Sequence, residues 1–444
     1  MDLPPYPQYK ETGHYWLKDI PTYWDIASLR LISKRYSGGT PDKKRSDFWQ
    51  DGTVPWLNSG EVNQGLIKKP TTHITEEALK LSSAKWIPAG SIIIALAGQG
   101  KTKGTAAYTC FEATCNQSMA AVVFDKDNPK YMYWWLKSQY KNIRGMASDD
   151  GRDGLNLEMI GSIPCPIPPI NEQSQIAKFL DYKTAQIDKL IKKKKALIEI
   201  LNEQRITMIT HAVTKGLIPN ASMMDSAMDW LGKVPAHWEI TKFKYQVGFQ
   251  EGPGIMAVDF RDSGVPLVRI RNVQEEYIDL DGCNFLDPDK VEARWPHFRC
   301  QLGDLIISGS ASTGLISEVA EDSVGAIVYT GLIRLWAIGE IQKEFIRWFV
   351  SSNTFFSQID MFKTGSTIQH FGPEHLNQML IPLPPRDEQI RIHEHLKISL
   401  SKLDSMLQIN NKAIESLSEY RSALITAAVT GKIDVRSLEV PKEI

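Results

Sequence analysis

Several things are scarce in this chain, and each scarcity excludes something. No stretch approaches the roughly 18 consecutive apolar residues of a membrane span; the densest run is Ile92-Ile93-Ile94-Ala95-Leu96-Ala97. The start, Met1-Asp2-Leu3-Pro4-Pro5-Tyr6, lacks the basic-then-apolar order of a secretory signal. Only five cysteines occur (Cys110, Cys115, Cys165, Cys283 and Cys300), never as Cys-x-x-Cys. That count fits neither a disulfide framework nor a structural zinc site, so a reducing cytoplasm is the expected location. Net charge is nearly missing too, at −1 over 444 residues, which taken alone argues against a nucleic-acid binder. With 42% hydrophobic and 23% charged residues, the chain is neither disordered nor collagen-like. At roughly 150 residues per domain, two to four domains are expected.

Catalytic signatures are also lacking. Ala95-Leu96-Ala97-Gly98-Gln99-Gly100-Lys101-Thr102 meets a relaxed phosphate-loop pattern, with Ala in place of the first Gly. Such a loop needs a helix directly after it, whose N-terminus holds phosphate. Here Lys103-Gly104-Thr105-Ala106-Ala107-Tyr108-Thr109 follows, which reads as a turn into a strand. The nine histidines form no metal or nuclease spacing, and His370 and His375 read as surface polar residues. No catalytic residue and no metal site is expected.

What is present is a duplication. Trp16-Leu17-Lys18-Asp19-Ile20-Pro21-Thr22-Tyr23-Trp24 returns as Trp230-Leu231-Gly232-Lys233-Val234-Pro235-Ala236-His237-Trp238, an offset of 214. Ile167-Pro168-Pro169-Ile170-Asn171-Glu172-Gln173 returns as Leu383-Pro384-Pro385-Arg386-Asp387-Glu388-Gln389, and Ala212-Val213-Thr214 as Ala428-Val429-Thr430, both at 216. The centres match more loosely: Gly90-Ser91-Ile92 aligns with Gly303-Asp304-Leu305 at 213, and Val54-Pro55 with Val265-Pro266 at 211. Such a period is far too long for a solenoid; it marks a two-part unit written twice.

Each copy ends in a long helix. Asn171 and Asp387 are expected N-caps, and Gly216 and Gly431 lie at the stops. Four-three spacing selects Ile176, Leu180, Ile187, Leu190, Leu197, Leu201 and Met208 as the apolar members of ten positions in the first helix. The same register selects Ile392, Leu396, Leu403, Met406, Leu417 and Leu424, with Ala413 and Tyr420, in the second. Two complementary seams predict that the helices, about 40 residues or roughly 60 Å each, pair with one another. An approximate two-fold axis makes the pair antiparallel. The fold class expected is α+β. Segment 1–14 leads into a domain at 15–170 and a helix at 171–217; linker 218–228 leads into a second domain at 229–385, a helix at 386–433 and a tail at 434–444. Ser91–Leu96, Ala120–Phe124, Asp304–Ser308 and Ala326–Tyr329 read as strands, and Met132–Tyr140 and Lys343–Phe356 as helices.

The divergent centres carry binding chemistry. Lys34, Lys43, Lys44 and Arg45 surround a turn that contains Thr40, and Lys101 and Lys103 flank the Gly-rich turn. Asn58 and Arg152 complete the first domain's candidates. In the second, Arg269 and Arg271 are expected on one face of a strand, followed by Asn272. Ser310, Ser312, Thr313, Lys363, Ser366 and Gln369 lie in polar loops. Arg to guanine and Asn to adenine are two-point base contacts, so DNA is the expected ligand.

Taken together, these features resemble the specificity subunits of type I restriction–modification systems. The carriers are Tyr9-Lys10-Glu11-Thr12-Gly13 with Trp16-Leu17, Ile20-Pro21 and Trp24, and their mid-chain echo Pro219-Asn220-Ala221, Met224-Asp225-Ser226 and His237-Trp238-Glu239. The proline-rich Glu-Gln entries to both helices belong to the same pattern. Within the first domain, Gly38-Gly39-Thr40-Pro41, Val54-Pro55-Trp56 and Asn116-Gln117 look like one type of target-recognition domain. The second departs from it, with Gly252-Pro253-Gly254 and Gly264-Val265-Pro266-Leu267. The resemblance spans residues 1–433.

It implies a non-catalytic subunit of a bacterial defence system, with two target-recognition domains that each read half of an asymmetric bipartite sequence in double-stranded DNA. The helices would set the spacing and dock two methyltransferase subunits, which flip out adenine and methylate N6. Restriction subunits would add the motor and nuclease. S-adenosylmethionine, ATP and Mg2+ would be used by those partners, with no cofactor in this chain and no membrane involved. Two other readings stay open: a nucleotide-binding enzyme using residues 95–102, and a coiled-coil scaffold for proteins alone. The charge also gains a meaning when partitioned. Residues 15–170 carry +4 and residues 229–385 carry −7, so near-neutrality is a cancellation between unequal halves. Partner subunits would then supply much of the phosphate attraction.

Overall fold

The computed structural model describes residues 3–98, 100–147, 154–309, 315–363 and 371–441, with Lys363 described for its backbone alone. The chain divides into two compact units, residues 1–194 with 412–444 and residues 195–411. Each unit therefore holds one globular part together with portions of both long helices.

The first unit opens with a hairpin, Tyr9–His14 against Leu17–Pro21. Its main sheet has five strands in the order Ser33–Ser37, Met119–Phe124, Ile92–Ala95, Ala106–Thr109, Leu66–Ile67. A second sheet has the order Thr114–Cys115, Val54–Leu57, Thr72–Ile74. The central strand shows why an unbroken apolar run is needed there. Side chains alternate between faces, and both faces are covered. Ile92 and Ile94 pack with Tyr131, Trp135 and Leu136, while Ile93 and Ala95 pack with Leu57, Ala107 and Cys115.

The second unit repeats this plan. Met223–Asp225 pairs with Lys233–Pro235, so the expected linker already contains a strand, the partner of the first copy's opening hairpin. The sheets run Val247–Glu251, Leu332–Ala337, Leu305–Ser308, Ile316–Glu318 and Phe260–Arg261, Asn284–Leu286, Val265–Val268, Ile327–Val328. Leu305 and Ile307 face Phe345 and Phe349, and Ile306 faces Val268 and Val328.

Local chemistry explains the helix limits that the sequence places differently. Asn128 caps a helix at Pro129–Ser138, its Oδ1 accepting from the amides of Lys130 (3.0 Å) and Tyr131 (3.1 Å), with Pro129 at the favoured first position. The stretch read as one helix from Lys343 is two, Lys343–Val350 and Asn353–Lys363. The Ser352 hydroxyl donates to the Phe349 carbonyl at 2.6 Å where the first one ends.

The long helices span Ile170–Lys215 and Arg386–Val429. Asn171 and Asp387 are not their N-caps. The carbonyls of Pro169 and Pro385 already accept the first intrahelical bonds, from Gln173 (3.0 Å) and Gln389 (3.1 Å), which puts Asn171 and Asp387 inside the first turn. The Glu-Gln pairs do the anchoring instead. Gln173 donates to the carbonyl of Pro168 (2.9 Å) and to Asp127 (2.8 Å), and accepts from the Asn128 amide (2.8 Å). Gln389 donates to the Pro384 carbonyl (2.9 Å) and accepts from the Gln342 amide (2.7 Å). Glu172 accepts from Trp24 Nε1 at 3.1 Å, and Glu388 from Trp238 Nε1 at 3.1 Å. The repeated Trp and the repeated Glu are thus two halves of one buried contact. Gly216 and Gly431 end the helices with φ of 70° and 69°, the left-handed stop that favours glycine.

The two helices pack against each other. In the first unit Ile176, Leu180 and Ile187 share a core with Leu424, Ile425 and Ala428, and Arg421 makes a two-point bond to Asp188 (2.8 and 3.1 Å). In the second, Leu201, Ile209 and Val213 share a core with Ile392, Leu396 and Leu403, and Arg205 lies 3.5 Å from Asp404. Asp188 and Asp404 are counterparts under the 216-residue offset, as are Arg205 and Arg421, so the duplication writes the same bridge twice. The expected seam is not continuous. Met208 and Leu417 are only partly buried, and Leu190, Leu197 and Met406 are 43%, 42% and 51% exposed. Ile176, Leu180 and Leu424 are covered by the first globular core, and Ile392 and Leu396 by the second.

Candidate nucleic-acid interface

In the first unit, sheet register brings four turns to one edge. Ala120 lies opposite Ser37 and Met119 opposite Ala95, while Cys115 runs beside Leu57 in parallel. The segments that leave Ser37, Leu57, Ala95 and Cys115 therefore emerge together. They are tied to one another: Trp56 Nε1 donates to the Gly39 carbonyl (3.0 Å), the Gly39 amide to Cys115 (2.9 Å), and the Asn116 amide to Leu57 (3.0 Å). The double glycine follows from this crowding. A Cβ on Gly38 would sit 1.9 Å from the Cys115 carbonyl oxygen, and one on Gly39 would sit 2.2 Å from Ser83 Oγ.

The polar groups on this edge are Thr40, Asn58, Asn63, Thr102 and Gln117. Thr40 bonds to Gln117. Asn58 accepts from the Gly60 amide at 2.8 Å, and Asn63 reaches Thr102 at 3.5 Å. Lys101 and Lys103 are placed by their carbonyls, which accept from Tyr140 (3.1 Å) and Arg144 (3.4 Å). Among the described residues, Lys43, Lys44, Lys101 and Lys103 have no carboxylate partner. Residues 100–105 run into the strand Ala106–Thr109 and not into a helix, so among the described residues no helix N-terminus follows the Gly-rich turn.

Two expected residues are elsewhere or otherwise engaged. Lys34 sits opposite Val123, toward the far end of its strand, and pairs with Asp125 at 3.0 Å. Arg45 is held by Asp47 and by Glu77 (3.2 Å), with its guanidinium 3.8 Å from the Phe48 ring centroid. Arg152, Ser310, Ser312, Thr313, Ser366, Gln369 and the Lys363 side chain lie outside the described residues.

The corresponding edge of the second unit has the same construction and different side chains. Gly252 replaces the double glycine, and a Cβ there would meet the Val328 carbonyl oxygen at 2.2 Å. Thr330 donates to the Pro253 carbonyl at 2.7 Å, where Gln117 meets Thr40 in the first unit. Arg269 stands at the Asn58 position. Its guanidinium lies 5.7 Å from the Phe260 ring and 5.6 Å from the Tyr329 ring, and it donates to Asn284 Oδ1 at 3.2 Å.

The expected Arg-x-Arg strand does not form. The strand ends at Val268, and Ile270–Asn272 is a turn of 3-10 helix. Asn272 closes that turn instead of facing outward. It is 1% exposed, accepts from the Arg269 amide at 3.0 Å and donates to the Asp279 carbonyl at 2.8 Å. Arg271 remains exposed.

Tyr329 and Thr330 were not singled out from the sequence, although they stand 213 residues beyond Asn116 and Gln117. Carrying the looser central offset through to that pair would have found them. At the opposite end of the strand Leu305–Ser308, burial raises the Asp304 carboxyl above its ordinary range, and Arg334 stands 3.5 Å away with its own side chain largely buried.

Comparison with known proteins agrees with this architecture. Residues 21–200 match the type I restriction modification DNA specificity domain. The MjaVIII specificity subunit of Methanocaldococcus jannaschii, a type I restriction enzyme, is 27% identical over 433 residues, covering 94% of this chain and 95% of that protein. The EcoR124I/EcoR124II specificity subunit of Escherichia coli is 35% identical over 158 residues, 35% of this chain and 39% of that protein. Among solved structures, a chain from work on complex assembly and conformational transition of the type I R-M system superimposes with a TM-score of 0.71 at 14% identity, covering 93% of this chain and 99% of that one. The HsdS subunit of Thermoanaerobacter tengcongensis gives 0.51 at 14%, covering 95% and 100%. The domain match and both named relatives point to one family, and over 94% of its length the chain is similar to the specificity subunits of type I restriction–modification systems, the non-catalytic components of those enzymes.

Proposed function

We propose that each unit's loop edge reads one half of a bipartite target in double-stranded DNA, and that the two halves differ. The observation that carries this reading is the pair of edges built on one topology with different polar groups: Thr40, Asn58 and Gln117 in one, Arg269 and Thr330 in the other. Groups held in place by neighbouring turns suit base readout, which needs donors and acceptors at fixed positions. In this reading the paired helices form an antiparallel coiled coil with pseudo-two-fold character. They act as a spacer between half-sites and as the docking surface for two adenine-N6 methyltransferase subunits. The domain limits are those read from the repeat. S-adenosylmethionine, ATP and Mg2+ serve the methyltransferase and restriction subunits, and the assembly works in the cytoplasm. No described helix is long and apolar enough to cross a membrane.

The charge balance fits a subunit that reads bases while its partners attract phosphate. The isolated chain should bind DNA weakly and with little sequence preference, whereas the complex should bind tightly. Sequencing with detection of modified adenines, with and without the gene, tests the reading directly. One asymmetric two-part motif should lose its modification when the gene is absent. Unchanged modification, or loss at a continuous palindrome, refutes it.

A further inference from the structure

Arg269 leaves the strand Val265–Val268 at the loop edge of the second unit, and its surroundings fix the guanidinium. Asn272 Oδ1 accepts from its backbone amide at 3.0 Å. The Tyr329 amide donates to the carbonyl of the preceding residue, Val268, at 2.9 Å, which brings the Tyr329 ring alongside. The rings of Phe260 and Tyr329 meet edge-on, 6.2 Å apart, and the guanidinium carbon lies 5.7 and 5.6 Å from their centroids. Nη1 donates to Asn284 Oδ1 at 3.2 Å. A side chain so held has already lost most of the rotamer freedom that binding would otherwise remove.

The other side of the fork is free. Nε and Nη2 have no hydrogen-bond partner among the described residues, and both are open to solvent. No carboxylate among the described residues lies within ion-pair distance. The N–H bonds of Nε and Nη2 run parallel, so together they form a planar two-donor edge. The neighbouring turn adds no second cation. The residues 213 places after Lys43, Lys44 and Arg45 are Met256, Ala257 and Val258, and Met256 and Val258 are exposed. Asn58, the counterpart of Arg269, instead turns its Oδ1 back onto the Gly60 amide.

We propose that Arg269 is a specificity-determining residue that requires a guanine in the second unit's half-site, with Nε and Nη2 donating to its O6 and N7. The inference rests on the reading of the loop edges as DNA-binding surfaces. Guanine offers two acceptors side by side in the major groove, which a fixed planar pair of donors matches. A phosphate contact needs no such fixed plane and is strengthened by neighbouring cations. Here the adjacent turn is apolar and the domain carries −7. Asn284 and the two rings act as positioning residues, since they hold the plane of the fork.

The test uses the methyltransferase complex that contains the full chain, with duplexes carrying the motif found by modification mapping. Replacing guanines one at a time by 7-deazaguanine removes N7 and leaves base pairing intact. At one guanine the replacement should lower wild-type methylation roughly five-fold or more. Arg269→Gln should be indifferent to that replacement and should prefer adenine at the same position, because glutamine bonds adenine N6 and N7. Its reading of the other half-site should not change. Asn284→Ala, a second variant that leaves Arg269 in place, should lose discrimination at that base pair and no other. The proposal is overturned if Arg269→Gln weakens methylation of all sequences alike, which assigns the side chain to a phosphate. It is also overturned if no 7-deazaguanine affects the wild type, or if the affected guanine stays affected in Arg269→Gln. Each of these results leaves the two-part motif modified and the bipartite reading intact, whereas absence of any two-part motif overturns both.

Discussion

The two units are one construction with two electrostatic characters. The first domain, residues 15–170, carries +4, and four lysines near its loop edge lack carboxylate partners among the described residues. The second, residues 229–385, carries −7, places one arginine beside two aromatic rings at the same edge, and buries Asp304 beside Arg334 at the opposite end of the strand Leu305–Ser308. Each edge is tied down locally: the Gly39 amide bonds Cys115 and the Gly252 amide bonds Leu332, while the Gln117 and Thr330 side chains bond across to the opposite turn. Duplication has preserved what holds the edge in place and freed what the edge presents. That division of labour suits a protein whose two halves read different sequences from a shared scaffold.

The comparison can be broken at its spacer first. Removing one heptad from each helix, residues 191–197 and 407–413, keeps the seam in register and shortens the pair by roughly 10 Å, about three base pairs at 3.4 Å. Methylation mapping should then show the gap between half-sites contracting while the half-sites stay the same. A constant gap removes the spacer role.

Next come the two buried tryptophans. Trp24 is fully buried, and its Glu172 partner also holds Tyr6 and Tyr23; Trp238 shares Glu388 with His237 alone, and one oxygen is left over. Truncation of a large buried aromatic costs about 3–5 kcal/mol. Trp24→Ala should fall at the upper end and Trp238→Ala at the lower, read from urea denaturation of each variant. Equal losses mean that Tyr6 and Tyr23 add nothing to the first contact.

Smaller effects separate the edges. Thr40→Ala with Gln117→Ala should relax recognition in one half-site by about 1–3 kcal/mol per lost base contact, and Arg269→Ala should do so in the other. Profiling modification over randomised targets distinguishes them. If either variant loosens both halves together, the units do not read independently.

The smallest effect concerns a charge in the first unit. Burial pulls the Lys137 ammonium down to about 8; it donates to the Tyr133 hydroxyl at 2.8 Å. The folded pKa lies below the unfolded one, near 10.4, so the folded state disfavours the charged form. At pH 7 the wild type carries that penalty, which fades as pH climbs from about 8 through 10.4. Lys137→Met should therefore be more stable at pH 7 by about 1 kcal/mol, with the advantage shrinking over that window. Urea midpoints at pH 7 and pH 10 measure it, and a difference that does not change with pH means that the shift is absent.

Particular elements show how far the sequence reaches. Ile92–Ala95 and Leu305–Ser308 were legible as strands because an apolar run buried on both faces has few other uses. The long helices were legible because uninterrupted four-three spacing persists through both copies. Asn272 was not: an asparagine that closes a turn and one that faces a base are the same letter, and only its bonds to Arg269 and Asp279 tell them apart. Arg45 and Lys34 looked like free cations until Glu77 and Asp125 were found beside them, 32 and 91 residues away in the chain.

By itself the sequence determined the duplication, the pairing helices, the family resemblance and the unequal charge of the halves, all of which are written in local spacing and in offsets between copies. Tertiary structure alone decided which polar groups share an edge, where the seam opens to solvent, and that Glu172 and Glu388 close onto tryptophans about 150 residues earlier. These depend on strand register and on contacts between distant segments. A hydrogen bond is set by the position of both partners, and the sequence names the partners without placing them.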